Sequence, residues 1–586
     1  MRQFLKYVLA TLTGLVLFGF VTFIIGLGML VAAVSDDDSV TVAKDSVLEL
    51  KLDKPIDERE SRESLGALFS SQADNIGLDN IKASIKRAKN DGDIKGIFLN
   101  VELVQAGRAS LEEIREALLD FKKSGKFIVS YADAQSEGSY YLASVANKIY
   151  LNPQGTLEFN GASSETMYYK NLFEKAGIDA QIFRVGSFKS AVEPFFRDSM
   201  SDSARLQTSS FLNSLNDFML AHVAKSRKID PARLKVINDS TLVHNAEDAK
   251  RYGLVTNLGY YDQALDYMKG KVGVAKDKKL SLVGLSDYTK SADDDDESSS
   301  DNRIAVIYAE GDIVTGKGGN GSIGSTRFAE AIRQARLDDK VKAVVLRVNS
   351  PGGSSLASDI IYREVALTKQ VKPIICSMSD VAASGGYMIA MACDTIVAQP
   401  STITGSIGVF GVLPNIEPLL RDKLGITTDR VTTGKFSDFP TITRPLSAYE
   451  KQQFQNEVNR IYADFTTKAA QGRHMPVERL RRFASGRVWS GAEAKERGLV
   501  DVLGSFDDAL RIAARRANLE PSDYKIQRLP RQKNMLENVF SGISEEARMH
   551  FVREEMGPLY PVYEQYKKLS TMTGVQARLP FELNVR

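Results

Sequence analysis

The segment Ala382-Ala-Ser-Gly-Gly-Tyr387 follows one apolar run, Ile374 to Ser379, and opens another, Met388 to Cys393. A serine at such a strand-to-helix junction can expose its hydroxyl beside the backbone N–H of the next residue. Ser384 is therefore a candidate nucleophile and Gly385 a candidate oxyanion donor. Taken alone, the same serine is equally an ordinary helix N-cap. Earlier in the chain, the apolar run ending at Val348 is followed by Asn349-Ser-Pro-Gly-Gly-Ser354. A Pro-Gly-Gly turn entering a helix offers bare N–H groups to an anionic oxygen, which makes Gly352 the second candidate donor, although most such turns are only turns. Gly353, Gly386 and, within Gly405-Ser-Ile-Gly408, Ser406 are candidate groove or supporting positions.

These loops must be held by a scaffold, and the sequence contains that scaffold twice. Residues 76–161 align without a gap onto 323–408 at a constant offset of 247, pairing Tyr140 with Tyr387, Pro153 with Pro400 and Gly161 with Gly408. A later block repeats too, Ala249 to Val255 matching Ala494 to Val500. Within the second copy, the run Ile304–Ala309, a helical pattern over Phe328–Leu337, the run Val344–Val348, a helical pattern over Ser355–Leu367 and the run Pro373–Cys376 alternate. That order predicts an α/β fold with a largely parallel sheet. Ligands of such sheets sit outside the carboxyl ends of the strands, where both glycine loops fall.

A serine hydroxyl needs a base, and no histidine lies between His244 and His474. Lysine can serve only when neutral, and neutrality at pH 7 costs about 4.6 kcal/mol for a lysine of ordinary pKa, so its site must be apolar. Two corresponding segments offer one: Arg184-Val-Gly-Ser-Phe-Lys-Ser190 and Arg430-Val-Thr-Thr-Gly-Lys-Phe-Ser-Asp438. Matching their Gly-x-Phe places Lys189 opposite Ser437, with Lys435 the rival one position away. At the 247 offset, Ser384 meets Glu137, and Gly352-Gly353 meet Gln105-Ala106. Each half thus keeps one member of a pair, and a complete site requires the halves to meet.

The remainder of the chain sets the context. From Tyr7 to Val34 there is no charge; as a helix this stretch is about 42 Å long against about 30 Å of bilayer hydrocarbon. Arg2 and Lys6 precede it and Asp36, Asp37 and Asp38 follow, which predicts a single-pass anchor with a cytoplasmic N-terminus and everything beyond residue 35 exported, in a bacterium to the periplasm. The expected organisation is an anchor at 1–35, a first domain at 45–285, an acidic linker at 286–302 built on Ser291-Ala-Asp-Asp-Asp-Asp-Glu-Ser-Ser-Ser-Asp301, a second domain at 303–516, and an extension at 517–586. In that extension Asn534–Glu555 reads as helix and Leu579–Val585 as a strand. Of 586 residues 76 are basic and 74 acidic, so composition suggests no nucleic-acid partner. The two cysteines, Cys376 and Cys393, read as small buried hydrophobes.

Asn349-Ser-Pro-Gly-Gly353, Ala383-Ser-Gly-Gly386, Gly405-Ser-Ile-Gly408 and Gly186-Ser-Phe-Lys-Ser-Ala-Val-Glu-Pro194 together resemble the long form of the signal peptide peptidase A (protease IV) family, of the Clp protease and crotonase superfamily. The resemblance runs from residue 45 to about 516 and includes the anchor. It implies tandem Clp/crotonase-like domains, a serine/lysine dyad of Ser384 and Lys189, a homo-oligomeric bowl (a tetramer) with hydrophobic grooves, and signal-peptide remnants in the inner membrane as substrates. The segment around Lys189 matches the family's base motif and that around Lys435 does not. Such a mechanism calls for no metal or cofactor. An acyl-CoA hydratase or hydrolase shares fold and glycine turns, but export argues against it; a non-catalytic membrane scaffold fits only the N-terminal copy.

Overall fold

The computed structural model describes residues 6–7, 11–22, 41–61, 75–291, 300–319, 321–531 and 574–579. The first half is built on a six-stranded parallel sheet, in the order Asn257–Leu258, Lys148–Leu157, Phe127–Gln135, Ile94–Asn100, Ser46–Leu50 and Leu282–Gly284. The second half repeats it: Ile403–Gly405, Ile374–Ala383, Val341–Ser350, Arg303–Glu310 and Lys525–Leu529 run parallel, with Val488–Ser490 antiparallel at one edge. A branch, Thr395–Ala398, pairs with Ile374–Ala383 and with Val502–Leu503. Ile304 through Ala309 are all buried, as expected of strands covered on both faces, which is why they read as unbroken apolar runs.

The duplication extends to element ends. Leu78–Asn90 and Ser325–Leu337, and likewise Arg108–Lys122 and Ser355–Lys369, start and stop at the same 247-residue offset. Each first helix buries one face at helical spacing, through Ile81, Ile85 and Ala88 in one copy and Phe328, Ile332 and Ala335 in the other. Tyr140 donates its hydroxyl proton to Leu254 O (2.8 Å), and its counterpart Tyr387 to Leu499 O (3.0 Å). The repeated tyrosine thus pins the repeated Gly-Leu-Val segment in both copies.

A third sheet joins the halves, in the order Ser322–Gly324, Asp312–Val314, Gly352–Ser354, Gln576–Arg578, Phe410–Asn415 and Asp179–Arg184. Its last pair is antiparallel, from Phe410 opposite Arg184 to Asn415 opposite Asp179, and crosses from the second half to the first. Buried charges bind the halves as well. Arg347 donates from Nε to Glu58 (2.8 Å), reaches Glu113 through Nη1 (2.8 Å), and also donates to Ser377 and Ser379 (2.9 Å each). Burial alone would raise the Glu113 carboxyl, but Arg347 and Lys82 bring it down to about 2.

Lys525–Leu529, beyond residue 516, extends the second sheet beside Arg303–Glu310. Helix Leu285–Lys290, at the expected end of the first domain, buries Tyr288 in the core of that half; residues 292–299 of the expected linker lie outside the described residues. Most of the expected anchor lies outside them too. Residues 11–22 are helical, and no helix among the described residues is long and apolar enough to cross a membrane. The expected helix Asn534–Glu555 is likewise not described. The strand expected at Leu579–Val585 lies, apart from Leu579, outside the described residues; a strand is described just before it, at Gln576–Arg578, with Leu579 buried after it. Cys376 and Cys393 are free thiols in the core.

Candidate active site

Ser384 stands between strand Ile374–Ala383 and helix Gly385–Ala390 with φ +56° and ψ −112°. A non-glycine residue held in such a conformation costs about 1–3 kcal/mol and persists only where its surroundings fix it. Here its N–H donates to Gly405 O (2.9 Å) and its carbonyl accepts from Met388 N–H (2.8 Å). The hydroxyl makes no cap bond to the helix, so the N-cap alternative does not describe this serine. Glycines on either side are a packing requirement. A Cβ on Gly385 would stand 2.6 Å from Ser358 Oγ, and one on Gly386 2.6 Å from Ser350 O.

Lys189 follows the crossing strand Asp179–Arg184 and is fully buried. Its Nζ lies 2.8 Å from Ser384 Oγ, 3.0 Å from Ser406 Oγ and 3.3 Å from Ser406 O. Burial, with no opposite charge to offset it, pushes the ammonium pKa well below the ordinary lysine value. A neutral amine in this place has a lone pair for the Ser384 O–H while its own hydrogens go to Ser406. Glycines shape the slot for the lysine stem: a Cβ on Gly486 would stand 2.7 Å from Lys189 Cβ, and one on Gly408 3.4 Å from Lys189 Cδ. Gln207 is the clamp that sequence reasoning missed. Buried on helix Asp202–Arg227, it donates to Phe188 O (3.1 Å) and Ser190 Oγ (2.9 Å) and accepts from Val488 N–H (3.2 Å), tying the lysine segment to the second half. Its signal was present, since 207, 211, 215 and 219 share one helix face and the other three are Phe, Leu and Met.

Gly352 has φ +101°, and a Cβ there would stand 2.7 Å from Gly385 N and 2.1 Å from Ala577 O. The two candidate donors are therefore neighbours. The Gly352 N–H itself donates to Ser350 Oγ (3.1 Å), and Ser350 donates on to Gly311 O (2.7 Å). Gly353 pairs with Ile313 on one side and Ala577 on the other. Ser406, at φ +48°, faces Lys189 and donates its N–H to Arg487 O (2.7 Å). Lys435 is exposed, its amine over the Phe436 ring, and takes no part. In the first copy, Glu137 occupies the position matching Ser384; burial raises its carboxyl pKa, and it accepts from Asn238 Nδ2 (2.7 Å).

A strained serine hydroxyl beside a buried amine and two adjoining glycine backbones is the equipment of a serine hydrolase. The model of peptidase family S49 matches residues 120–275 and 366–520, once in each half. Protease 4 of Salmonella typhi is 38% identical over 482 residues, covering 79% of this chain and 77% of that protein. The chloroplastic serine protease SPPA of Arabidopsis thaliana is 34% identical over 553 residues, covering 92% and 78%. Among solved structures, a ClpP1 mutant from Listeria monocytogenes aligns with 36% of this chain and 94% of its own at 17% identity and a TM-score of 0.24. The chain belongs to peptidase family S49 and is a serine peptidase.

Proposed function

We propose that Ser384 is the nucleophile and Lys189 the general base of a membrane-anchored endopeptidase that degrades cleaved signal peptides and other hydrophobic peptides. The observation that carries the dyad is the 2.8 Å separation of Lys189 Nζ from Ser384 Oγ inside a fully buried pocket. Lys189 takes the hydroxyl proton, the alkoxide attacks the peptide carbonyl, and the oxyanion is received by the N–H of Gly385 and by that of Gly352, which exchanges its bond to Ser350 Oγ for the oxyanion. The amine leaves with the proton returned by Lys189, and water resolves the acyl-enzyme by the same steps. Ser406 orients the amine.

The uncharged stretch 7–34 supports an anchor in the bacterial inner membrane, with the N-terminus cytoplasmic and the catalytic part periplasmic. Resemblance to signal peptide peptidase A supports the tandem Clp/crotonase-like architecture, the signal-peptide substrates and assembly as a tetramer. A fluorophosphonate probe on the full chain in detergent tests the dyad. Labelling is expected at Ser384, absent in Ser384→Ala and much slower in Lys189→Met; undiminished labelling of Ser384→Ala would remove this serine from the reaction.

A further inference from the structure

Carboxyl groups outnumber the cations paired with them where the two halves join. Arg347 is bound to Glu58 and Glu113, and Lys82 to Glu113. Glu310, at the end of strand Arg303–Glu310, meets the first half through backbone instead: the Glu58 N–H donates to both oxygens of its carboxyl (3.2 and 3.3 Å). The Glu58 side chain turns one oxygen to Arg347 Nε (2.8 Å), while the other, Oε1, is buried and has no hydrogen-bond partner among the described residues. A buried carboxylate oxygen without a donor is costly, and a neighbouring carboxyl that keeps its proton supplies one.

The other groups around Glu310 do not replace that donor. Asp57 is a further anion, held by Asn75 (2.6 Å). Arg59 lies over the Tyr308 ring (4.8 Å) and donates to Pro530 O (3.3 Å), and Arg528 faces Asp79 (3.5 Å). Asp380 is taken up by the N–H and hydroxyl of Ser110. Burial first, and then the charges of Glu58 and Asp57, push the Glu310 carboxyl up to about 8, against the opposing pull of the Glu58 N–H and Asn349.

Gly311, the next residue, supports the oxyanion turn. Its N–H donates to Asn349 O (3.0 Å), its carbonyl accepts from Ser350 Oγ (2.7 Å), and Ser350 Oγ accepts from the Gly352 N–H (3.1 Å). Asn349 links the same corner to the nucleophile: Nδ2 reaches Glu310 (3.4 Å), and Oδ1 accepts from Val381 N–H (3.2 Å) on the strand that leads to Ser384.

We propose that Glu310 and Glu58 share one proton across the junction of the halves, and that this proton holds the oxyanion turn in place. Glu310 carries it and donates it to Glu58 Oε1. Once it is lost, two buried carboxylates face each other, and the end of strand Arg303–Glu310 draws away with Gly311, Ser350 and Gly352. Glu310 is a positioning residue, because it reaches Gly352 only through Gly311 and Ser350. The effect on activity rests on the reading of Ser384 as nucleophile and Gly352 as oxyanion donor; the shared proton does not. Activity then has two pH limits of separate origin, the acid one set by the need for a neutral Lys189 and the alkaline one by the need for the Glu310 proton.

The test uses the full chain. Wild-type kcat/KM is expected to fall about tenfold per pH unit above about pH 8. In Glu310→Gln the amide nitrogen is a permanent donor for Glu58 Oε1 and the amide oxygen accepts the Glu58 N–H, so the alkaline fall should be absent up to about pH 9.5. Glu310→Ala removes both contacts and should lower kcat several-fold at pH 7 with KM little changed, a loss that Glu310→Gln largely restores. The proton itself is read without catalysis in the Ser384→Ala background. The folded chain keeps a proton that an unfolded glutamate, of pKa about 4.3, has lost. This group therefore lowers the folding constant about tenfold per pH unit between about 4.3 and about 8, and no further above. Urea unfolding of Ser384→Ala and of Ser384→Ala, Glu310→Gln from about pH 6 to about pH 9.5 should give a ratio of folding constants that falls until about pH 8 and is then level. Failure of the dyad gives a different result, hydrolysis that persists in Ser384→Ala while the unfolding ratio behaves as expected. A ratio level throughout, a wild-type profile with no alkaline fall, or an alkaline fall unaltered in Glu310→Gln overturns the proposal.

Discussion

Replacing Lys189 by methionine should nearly eliminate turnover and change stability by an amount that depends on pH. Methionine keeps an unbranched stem in the slot made by Gly408 and Gly486 while removing the amine. In the folded chain burial depresses the lysine pKa, whereas the unfolded chain titrates near the ordinary value. Between those two values the unfolded state holds one more proton, so this group makes the wild-type protein gain stability as pH rises, by about 1.36 kcal/mol per unit. Holding the amine neutral costs most where the unfolded chain is fully protonated and progressively less as pH approaches the ordinary lysine value, whereas the amine's contacts with Ser384 Oγ, Ser406 Oγ and Ser406 O, about 1 kcal/mol each, are present throughout. The stability of the variant relative to the wild-type protein should therefore fall between pH 7 and pH 9.5. Urea unfolding of both proteins at the two pH values reads the difference directly, with peptide hydrolysis measured alongside. Loss of a positioned base lowers the rate about 10² to 10⁴-fold. A stability difference of the same sign and size at both pH values would show that Lys189 is not held neutral, and retained activity would show that it is not the base.

Lys435→Met should leave most activity, and separately expressed halves should be inactive until mixed; an inactive Lys435→Met beside an active Lys189→Met would put the base in the second half. Removing residues 1–35 should give a soluble, active enzyme, checked by hydrolysis without detergent, because the site elements all lie beyond residue 100. Gln207→Leu should leave Phe188 O and the Val488 N–H without their buried partner, cost about 1–3 kcal/mol in urea unfolding, and lower kcat about 10²-fold through a misplaced lysine; unchanged kcat would deny it a positioning role. Arg347→Met removes the buried cation from Glu58 and leaves Glu113 with Lys82 alone, and should destabilise by about 3–5 kcal/mol, seen as an earlier unfolding midpoint that a further Glu58→Gln change partly restores.

The parts of this molecule that could be read from its sequence are those written in periodic or repeated form. The 247-residue offset puts the paired helices of the two copies in register, although the helical patterns Phe328–Leu337 and Ser355–Leu367 stop short of the helices Ser325–Leu337 and Ser355–Lys369, and the complementary losses at Glu137 and Ser437 lead to Ser384 and Lys189, whose side chains lie 2.8 Å apart. What escaped reading lacks periodicity. The strand Gln576–Arg578 is three residues long and is recognised through its backbone, so its side chains carry no pattern. Arg347 looks like one charge within an apolar run, and nothing nearby in sequence says that its partners are Glu58 and Glu113. The engagement of the Gly352 N–H with Ser350 is a matter of turn geometry that a Pro-Gly-Gly motif leaves undetermined.

The 195 positions separating the serine from the lysine also have a meaning in time. Synthesis delivers the lysine first, just after strand Asp179–Arg184, whose partner Phe410–Asn415 has not yet been made, and the serine arrives on a sheet belonging to the second half. Long-range pairings of this kind close late. With the dyad proposed above, a half-made chain would carry no working peptidase until its second half had been made and folded.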